Sequence, residues 1–196
     1  MRKLAILVAL GLASASAHAQ TPLTKGRGLL TGSINYHHDG GSSTRYGFDA
    51  FSFSPAVGVF VADNFVVGAN LTIQTASYSQ YNYAPVGAPI SSTYNSTAFA
   101  VGPFVRYYRF VGGDKFALFG QGGLGYIRTR GNYSGNDRQG YLSITPGVAF
   151  FPVPRFGIEG SLRGINLMTD FSDTSTLDLG VSLRDFQLGA VYYFGK

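Results

Sequence analysis

The chain has no cysteine in its 196 residues, so disulfide bridges and Cys-ligated metal sites are excluded. Charge is scarce too, with Asp, Glu, Lys and Arg making up only 13% of the residues. The formal net charge is +5 and falls to +3 without Arg2 and Lys3. No Lys/Arg cluster is interleaved with stacking aromatics, so nucleic acid is not an expected partner. Beyond the N-terminus no apolar run approaches the ~20 residues that a spanning helix needs. What is abundant is glycine, with 27 residues, and aromatic side chains, at 15%. Few charges with many Gly, Tyr and Phe suit a β-sheet with one face in hydrocarbon.

Arg2 and Lys3 precede a short apolar run at residues 4–12, and Ala17-His18-Ala19 fits an A-x-A cleavage site. This is the pattern of an export signal over residues 1–19, cleaved between Ala19 and Gln20. Residues 20–196 are short enough to form one domain. Export without a helical span leaves two classes, a membrane barrel and a secreted soluble β-protein.

Residues 51–75, FSFSPAVGVFVADNFVVGANLTIQT, separate the two. Side chains in a strand alternate between faces. Phe51, Phe53, Pro55, Val57, Val59 and Val61 share one face of a first strand, opposite Ser52, Ser54, Ala56 and Gly58, with Phe60 the one large exception. After a turn at Ala62-Asp63-Asn64, Phe65, Val67, Ala69, Leu71 and Ile73 share a face opposite Gly68, Asn70, Thr72 and Gln74. Bulky residues on one face and small or polar ones on the other read as a transmembrane barrel with its large side chains toward lipid.

The same pattern predicts eight strands, at about 28–38, 46–61, 65–78, 96–108, 115–130, 139–151, 155–167 and a last one ending at Phe194. Polar loops at 39–45, 79–95, 131–138 and 168–176 alternate with tight turns at 62–64, 111–114 and 152–154. The expected fold is all-β, an eight-stranded antiparallel up-and-down transmembrane β-barrel with short periplasmic turns and longer external loops. Its interior should be just wide enough for side chains to fill. The alternation slips near Asp49-Ala50 and again near Arg184-Asp185, where bulges or a strand edge are expected. Pro55, Pro103 and Pro146 fall mid-strand on the outward face, where each removes a ladder hydrogen bond.

On these residues the chain resembles the small bacterial outer-membrane β-barrels of the OmpX/OmpA type, within the porin-like superfamily. The pattern is densest in residues 55–68, PAVGVFVADNFVVG, with echoes at 103–110, 116–125 and 146–151 and an aromatic-ended last strand, AVYYF. The resemblance implies a bacterial outer-membrane location. It also implies insertion by the machinery that reads a terminal aromatic residue, although here Gly195 and Lys196 follow Phe194. Members serve as structural, surface-interaction, pore or lipid-modifying proteins. The expected role is structural or surface-interacting through the external loops and non-enzymatic. A narrow pore is the alternative and a lipid-modifying enzyme the third. Outer-membrane lipids and extracellular ligands are the expected partners, the expected state is a monomer, and no cofactor is expected.

Candidate site residues are few. Arg106, Gln121, Glu159 and Arg163 fall on inward faces and should form a polar network that fills the lumen, since a charge in a low-dielectric interior must be paired. A gate or conduit is the other reading. His37, His38 and Asp39 adjoin at a strand end, but neighbours in a strand point to opposite faces, and a zinc site needs three or four ligands. A deacylase would need them to join a loop Ser such as Ser42 or Ser43, which their spacing does not demand. Residues 120–125, GQGGLG, match a dinucleotide fingerprint only superficially, because the glycines lie in a strand and no helix follows. Tyr78, Tyr81, Tyr83, Tyr94 and Tyr133 lie in or beside the loops and read as an interfacial girdle or, alternatively, an adhesive surface.

Overall fold

A computed structural model describes residues 23–40, 46–82, 90–132, 135–171, 175–180 and 185–195. The expected signal and its cleavage site at Ala19 and Gln20 lie outside these residues, as do Ser42, Ser43, Tyr83, Tyr133 and Arg184. The period-two alternation is realised as ten strands: β1 (Gly28–Asp39), β2 (Tyr46–Ala62), β3 (Phe65–Asn82), β4 (Ile90–Phe110), β5 (Phe116–Gly131), β6 (Gly135–Val153), β7 (Phe156–Ser161), β8 (Ile165–Thr169), β9 (Ser175–Leu179) and β10 (Gln187–Phe194). Each strand from β1 to β6 pairs antiparallel with the next. Then β6 pairs with both β7 and β8, while β9 pairs with β8 and β10 with β7. The two broken strands therefore occupy one ring position each, and the ten strands fill eight positions. The ring closes between β1 and β10, from Gly28↔Phe194 to Ile34↔Leu188.

Both breaks flip the alternation. Between Ile144↔Ile165 and Gly147↔Ser161, the two residues Thr145 and Pro146 of β6 face three residues, Leu162, Arg163 and Gly164. This is a bulge. Ile158 of β7 and Ile165 of β8 both face outward although their numbers differ in parity. The upstream and downstream halves of the last strand flip likewise, with Leu177 and Leu179 outward on β9 and Leu188 and Tyr192 outward on β10. That break spans the Arg184-Asp185 region where a slip is expected. No bulge occurs at Asp49-Ala50. The register there is unbroken, with His38↔Asp49 and His37↔Ala50 on one side and Asp49↔Ser77 on the other. Phe48 keeps its parity by pointing into the lumen, where its ring lies 5.9 Å from that of His37. The shift on β2 comes instead at Phe60/Ala62, beside the turn.

The three prolines sit where the ladder can spare them. The Pro146 carbonyl accepts from the Leu162 amide, so the missing Pro146 N–H would point at the 162–164 bulge, where the ladder is already broken. Pairing of β2 with β3 skips Ser54 and Pro55, and pairing of β4 with β5 skips Gly102 and Pro103, without a register change in either case. At the second gap the backbones pinch: a Cβ on Gly102 would collide with the Leu124 carbonyl, and one on Gly125 with the Val101 carbonyl.

Strands β3, β4 and β6 are longer than the alternation predicts, and β5 keeps the expected length. Residues 79–82 and 90–95, expected in a loop, are paired strand, with contacts up to Asn82↔Ile90. A hairpin thus stands on the loop side of the barrel. The third turn is Pro154-Arg155 rather than 152–154, because Val153 pairs with Phe156.

The outward face carries Leu30, Ile34, Val57, Leu71, Val101, Leu118, Leu124, Leu142, Val148 and Leu188, all exposed. On β5 the outward apolar column runs from Phe116 to Tyr126. The ten steps between them, at ~3.4 Å each and tilted by about 40°, rise about 26 Å, which matches the ~25 Å lipid-facing band of membrane barrels. A soluble barrel would bury these large residues; here they are on the outside, as the transmembrane reading expects. Val101→Arg, near the middle of this band, should cost about 2–4 kcal/mol when unfolding from bilayers is measured. An unchanged unfolding free energy would remove Val101 from the lipid face.

Candidate functional site

The lumen is built in three layers. At the turn end it is filled by aromatic side chains. Phe60, Phe104, Tyr108 and Tyr193 are at most 2% exposed, and Phe119 and Phe151 pack with them. The rings interlock at centroid distances of 5.7 Å for Tyr108–Phe119, 5.8 Å for Phe151–Tyr193 and 5.9 Å for Phe60–Tyr193. The lead-in before β1 seals this end. Leu23 is buried in the cluster, its carbonyl accepts from the Asn64 amide, and the Lys25 amide donates to Asp63 Oδ1 at 2.9 Å.

The middle layer is an ion pair. Arg106 Nη1 donates to both Glu159 oxygens, at 2.9 Å and 2.8 Å, and to Tyr108 OH at 2.8 Å. Its Nε donates to Gln121 Oε1 at 2.8 Å. The Glu159 carboxylate also accepts from Tyr108 OH at 2.9 Å and Thr31 Oγ1 at 3.2 Å. The guanidinium lies 4.5 Å from the Phe119 ring centroid, a cation–π contact away from water. Both charges are more than 90% buried, so the surrounding hydroxyls and amide offset a desolvation cost that the pair alone would not.

Above the ion pair lies a polar cavity of about 500 Å³ that runs toward the loop end, lined by Ser33, Ser52, Thr72, Gln74, Ser143 and Asn166 among others. Burial along β1 falls in step, from buried Thr31 to half-buried Ser33, Asn35 and His37. Asn70 Oδ1 and Tyr141 OH are buried in this wall without a hydrogen-bond partner.

Arg106, Gln121 and Glu159 therefore meet as one network, and Arg163 is not part of it. Arg163, in the bulge opposite Thr145 and Pro146, lines the same lumen cavity but pairs with Asp185, whose Oδ1 lies 3.4 Å from Arg163 Nη2, and both are half-exposed. His37 and His38 point to opposite faces as expected. His38 Nδ1 lies 2.6 Å from Asp49 Oδ1 on the outer face, and Tyr36 OH donates to the same oxygen at 3.0 Å. Among the described residues no group of three or more His, Cys, Asp or Glu could hold a metal ion.

Tyr78 and Tyr94 do not belong to a lipid-facing girdle. They pair with each other, and Tyr78 pairs with Phe48, which lines the lumen. Paired residues share a face, so Tyr78 and Tyr94 stand on the inner side of the projecting sheet. Tyr46 and Tyr78 stack there at 6.0 Å and 21°. Tyr108, Phe119, Phe151 and Tyr193 escape a reading that looks for small inward residues. For three of them the signal is an aromatic doublet next to a turn, since Tyr107-Tyr108, Phe150-Phe151 and Tyr192-Tyr193 each put one ring outward and one inward; Phe119 follows Leu118 and has no such signal.

Because Glu159 is held by Arg106, Glu159→Ala should destabilise by about 3–5 kcal/mol, leaving the buried Arg106 unpaired. In chemical unfolding, Arg106→Ala combined with Glu159→Ala should show a coupling of about 1–3 kcal/mol, whereas Arg163→Ala combined with Glu159→Ala should add within about 0.5 kcal/mol. Coupling to Arg163 and additivity with Arg106 would reverse the assignment.

No curated protein matches the chain in sequence. In fold it is similar to the N-terminal β-barrel domain of Pseudomonas aeruginosa OprF, with a TM-score of 0.42 and 15% identity over 87% of this chain and 98% of that one. It is similar to Neisserial surface protein A, with a TM-score of 0.48 and 12% identity over 87% and 98% of the two chains. It is also similar to Ail, the attachment invasion locus protein of Yersinia pestis, with a TM-score of 0.38 and 15% identity over 87% and 100%. The outer membrane protein beta-barrel domain model matches residues 5–194, nearly the whole length, and the closed ring, lipid-facing band and short turns agree with it. The chain belongs to the outer membrane protein beta-barrel domain family.

Proposed function

We propose that this outer-membrane barrel is a non-enzymatic surface protein that meets extracellular partners at its loop end. The observation that carries the reading is the sheet of β2 to β5 rising past the apolar band, with Tyr46, Tyr78 and Tyr94 on its inner face above a polar cavity. Tyrosine supplies contact area at low entropy cost. Asn70 Oδ1 and Tyr141 OH supply hydrogen-bonding capacity below it. The aromatic layer argues against the pore alternative, since it leaves the cavity blind at the turn end. For a lipid-modifying enzyme, the hydrogen bonds of the described residues tie the His38–Asp49 pair to the Tyr36 hydroxyl and not to Ser77, which stands opposite Asp49 in the register. Export through the signal at residues 1–19, and insertion read from the aromatic end of β10, belong to the same proposal.

The absence of cysteine makes display directly testable. Tyr78→Cys should react with a membrane-impermeant maleimide on intact cells, and Gly113→Cys only after permeabilisation. The reverse pattern would overturn the orientation. In planar bilayers the protein should show no ion conductance above baseline, and steady openings would favour the pore. Against a panel of immobilised glycans and matrix proteins, Tyr46→Ser with Tyr78→Ser should lose the binding that the wild type shows. No wild-type binding across the panel would count against the surface-interaction reading.

A further inference from the structure

Outside the lumen, the β5–β6 face holds an arrangement that the surface role does not use. Arg128 and Arg138 are directly opposite one another in the β5–β6 register. Both have the outward parity of Tyr126 and Leu142. Arg130 is the next outward residue on β5 and pairs with Thr97 of β4, which faces the same way. Directly opposed side chains have Cβ atoms about 5 Å apart and diagonal ones about 7–8 Å, so the three arginines share one small patch. Like charges directly opposite destabilise a sheet. Among the described residues none of the three arginines has an ion-pair partner. Asp137, the neighbouring carboxylate, is turned to the inner side, where it accepts from Gln139 Nε2 at 3.0 Å. Asp49, an outward carboxylate at the loop end, is on β2, about 14 Å away across three strand spacings, and is engaged by His38 and Tyr36. The Arg128 Nε is buried without a hydrogen-bond partner.

The level of the cluster identifies what neutralises it. The apolar column on β5 ends at Tyr126, and Arg128 is the next outward position. A barrel whose ~25 Å band fills the hydrocarbon therefore holds Arg128, Arg130 and Arg138 at the height of the lipid head groups on the loop side. Guanidinium forks match phosphate oxygens in bidentate geometry. We propose that Arg128, Arg130 and Arg138, with the Thr97 hydroxyl, form a site on the outer wall for the phosphate groups of an outer-leaflet phosphorylated glycolipid.

The test uses the full-length barrel in phosphatidylcholine nanodiscs, with bis-phosphorylated lipid A or its dephosphorylated form as the probe. Phosphorylated lipid A should be retained by the wild-type protein and should raise its unfolding temperature, and the dephosphorylated form should do neither. Equal effects of the two lipids would overturn the proposal, and that comparison needs no variant. Arg128→Gln with Arg138→Gln should bind the phosphorylated lipid about tenfold more weakly, as expected for loss of a charge-assisted hydrogen-bonded contact. Arg109→Gln with Arg155→Gln, which removes the same net charge at the turn end, should bind as the wild type does. An equal loss in both variants would mean that net charge alone is read. Displacement of the lipid by millimolar inorganic phosphate would mean a free-anion site and overturn the lipid assignment.

Discussion

Hydrocarbon offers no hydrogen bonds, so every backbone N–H and C=O within the membrane must find a partner in the chain itself. That constraint governs the rest of this structure. It requires the ring to close, and β1 meets β10 over seven consecutive residue pairs to close it. It also restricts where a donor can be missing. The absent N–H of Pro146 is directed at the bulge, and Pro55 and Pro103 fall at ladder gaps that leave the register intact. Breaks in β7/β8 and β9/β10 do not open the ring at the turn side, because β7 and β10 still pair with each other and with their outer neighbours.

Closure at eight positions leaves a narrow interior, and the chain fills it unevenly. Aromatic rings occupy the turn end, where they bury apolar area without any polar group to satisfy except the Tyr108 and Tyr193 hydroxyls, which contact each other at 3.4 Å. The Arg106–Glu159 pair sits on top of that layer. Its position follows from its chemistry, since Tyr108 gives it a hydroxyl from below and Thr31 and Gln121 complete it from the wall. Toward the loop end, small polar residues leave the space unfilled. The same ring is thus a plug at one end and a cavity at the other.

Much of this was legible because lipid and lumen select opposite side chains and a strand alternates between them. Leu30, Val57, Leu71, Val101 and Leu188 declare the outer face, and Thr31, Arg106, Gln121 and Glu159 the inner one. Legibility failed where parity was interrupted or where an inward position was large. Phe48 looked like a slip because an inward phenylalanine was not expected, yet the wide loop end has room for it. A continuous strand would bring Arg163 to Glu159; the bulge keeps Arg163 on the lumen but pairs it with Asp185 instead. The extra residue in the 162–164 bulge could not be seen without knowing what β6 pairs with. Strands that end at the membrane would make Tyr78 and Tyr94 girdle residues; the longer β3 and β4 put both on the inner side of the projecting sheet.

The same continuation of β2 to β5 past the membrane sets the two outer surfaces apart. One surface of the projecting sheet looks into the mouth of the lumen and is aromatic and polar. The other looks outward and carries its charge in patches, with His38 on β1, Asp49 on β2 and the three arginines on β5 and β6. A protein whose only task was to fill the membrane would need neither surface, since stability comes from closure, the lipid-facing band and the buried pair. Extending the sheet while interrupting it between β7 and β8 and between β9 and β10 gives up regularity there. The residues that gain by it are those at the loop end, where Tyr46, Tyr78 and Tyr94 stand above the cavity.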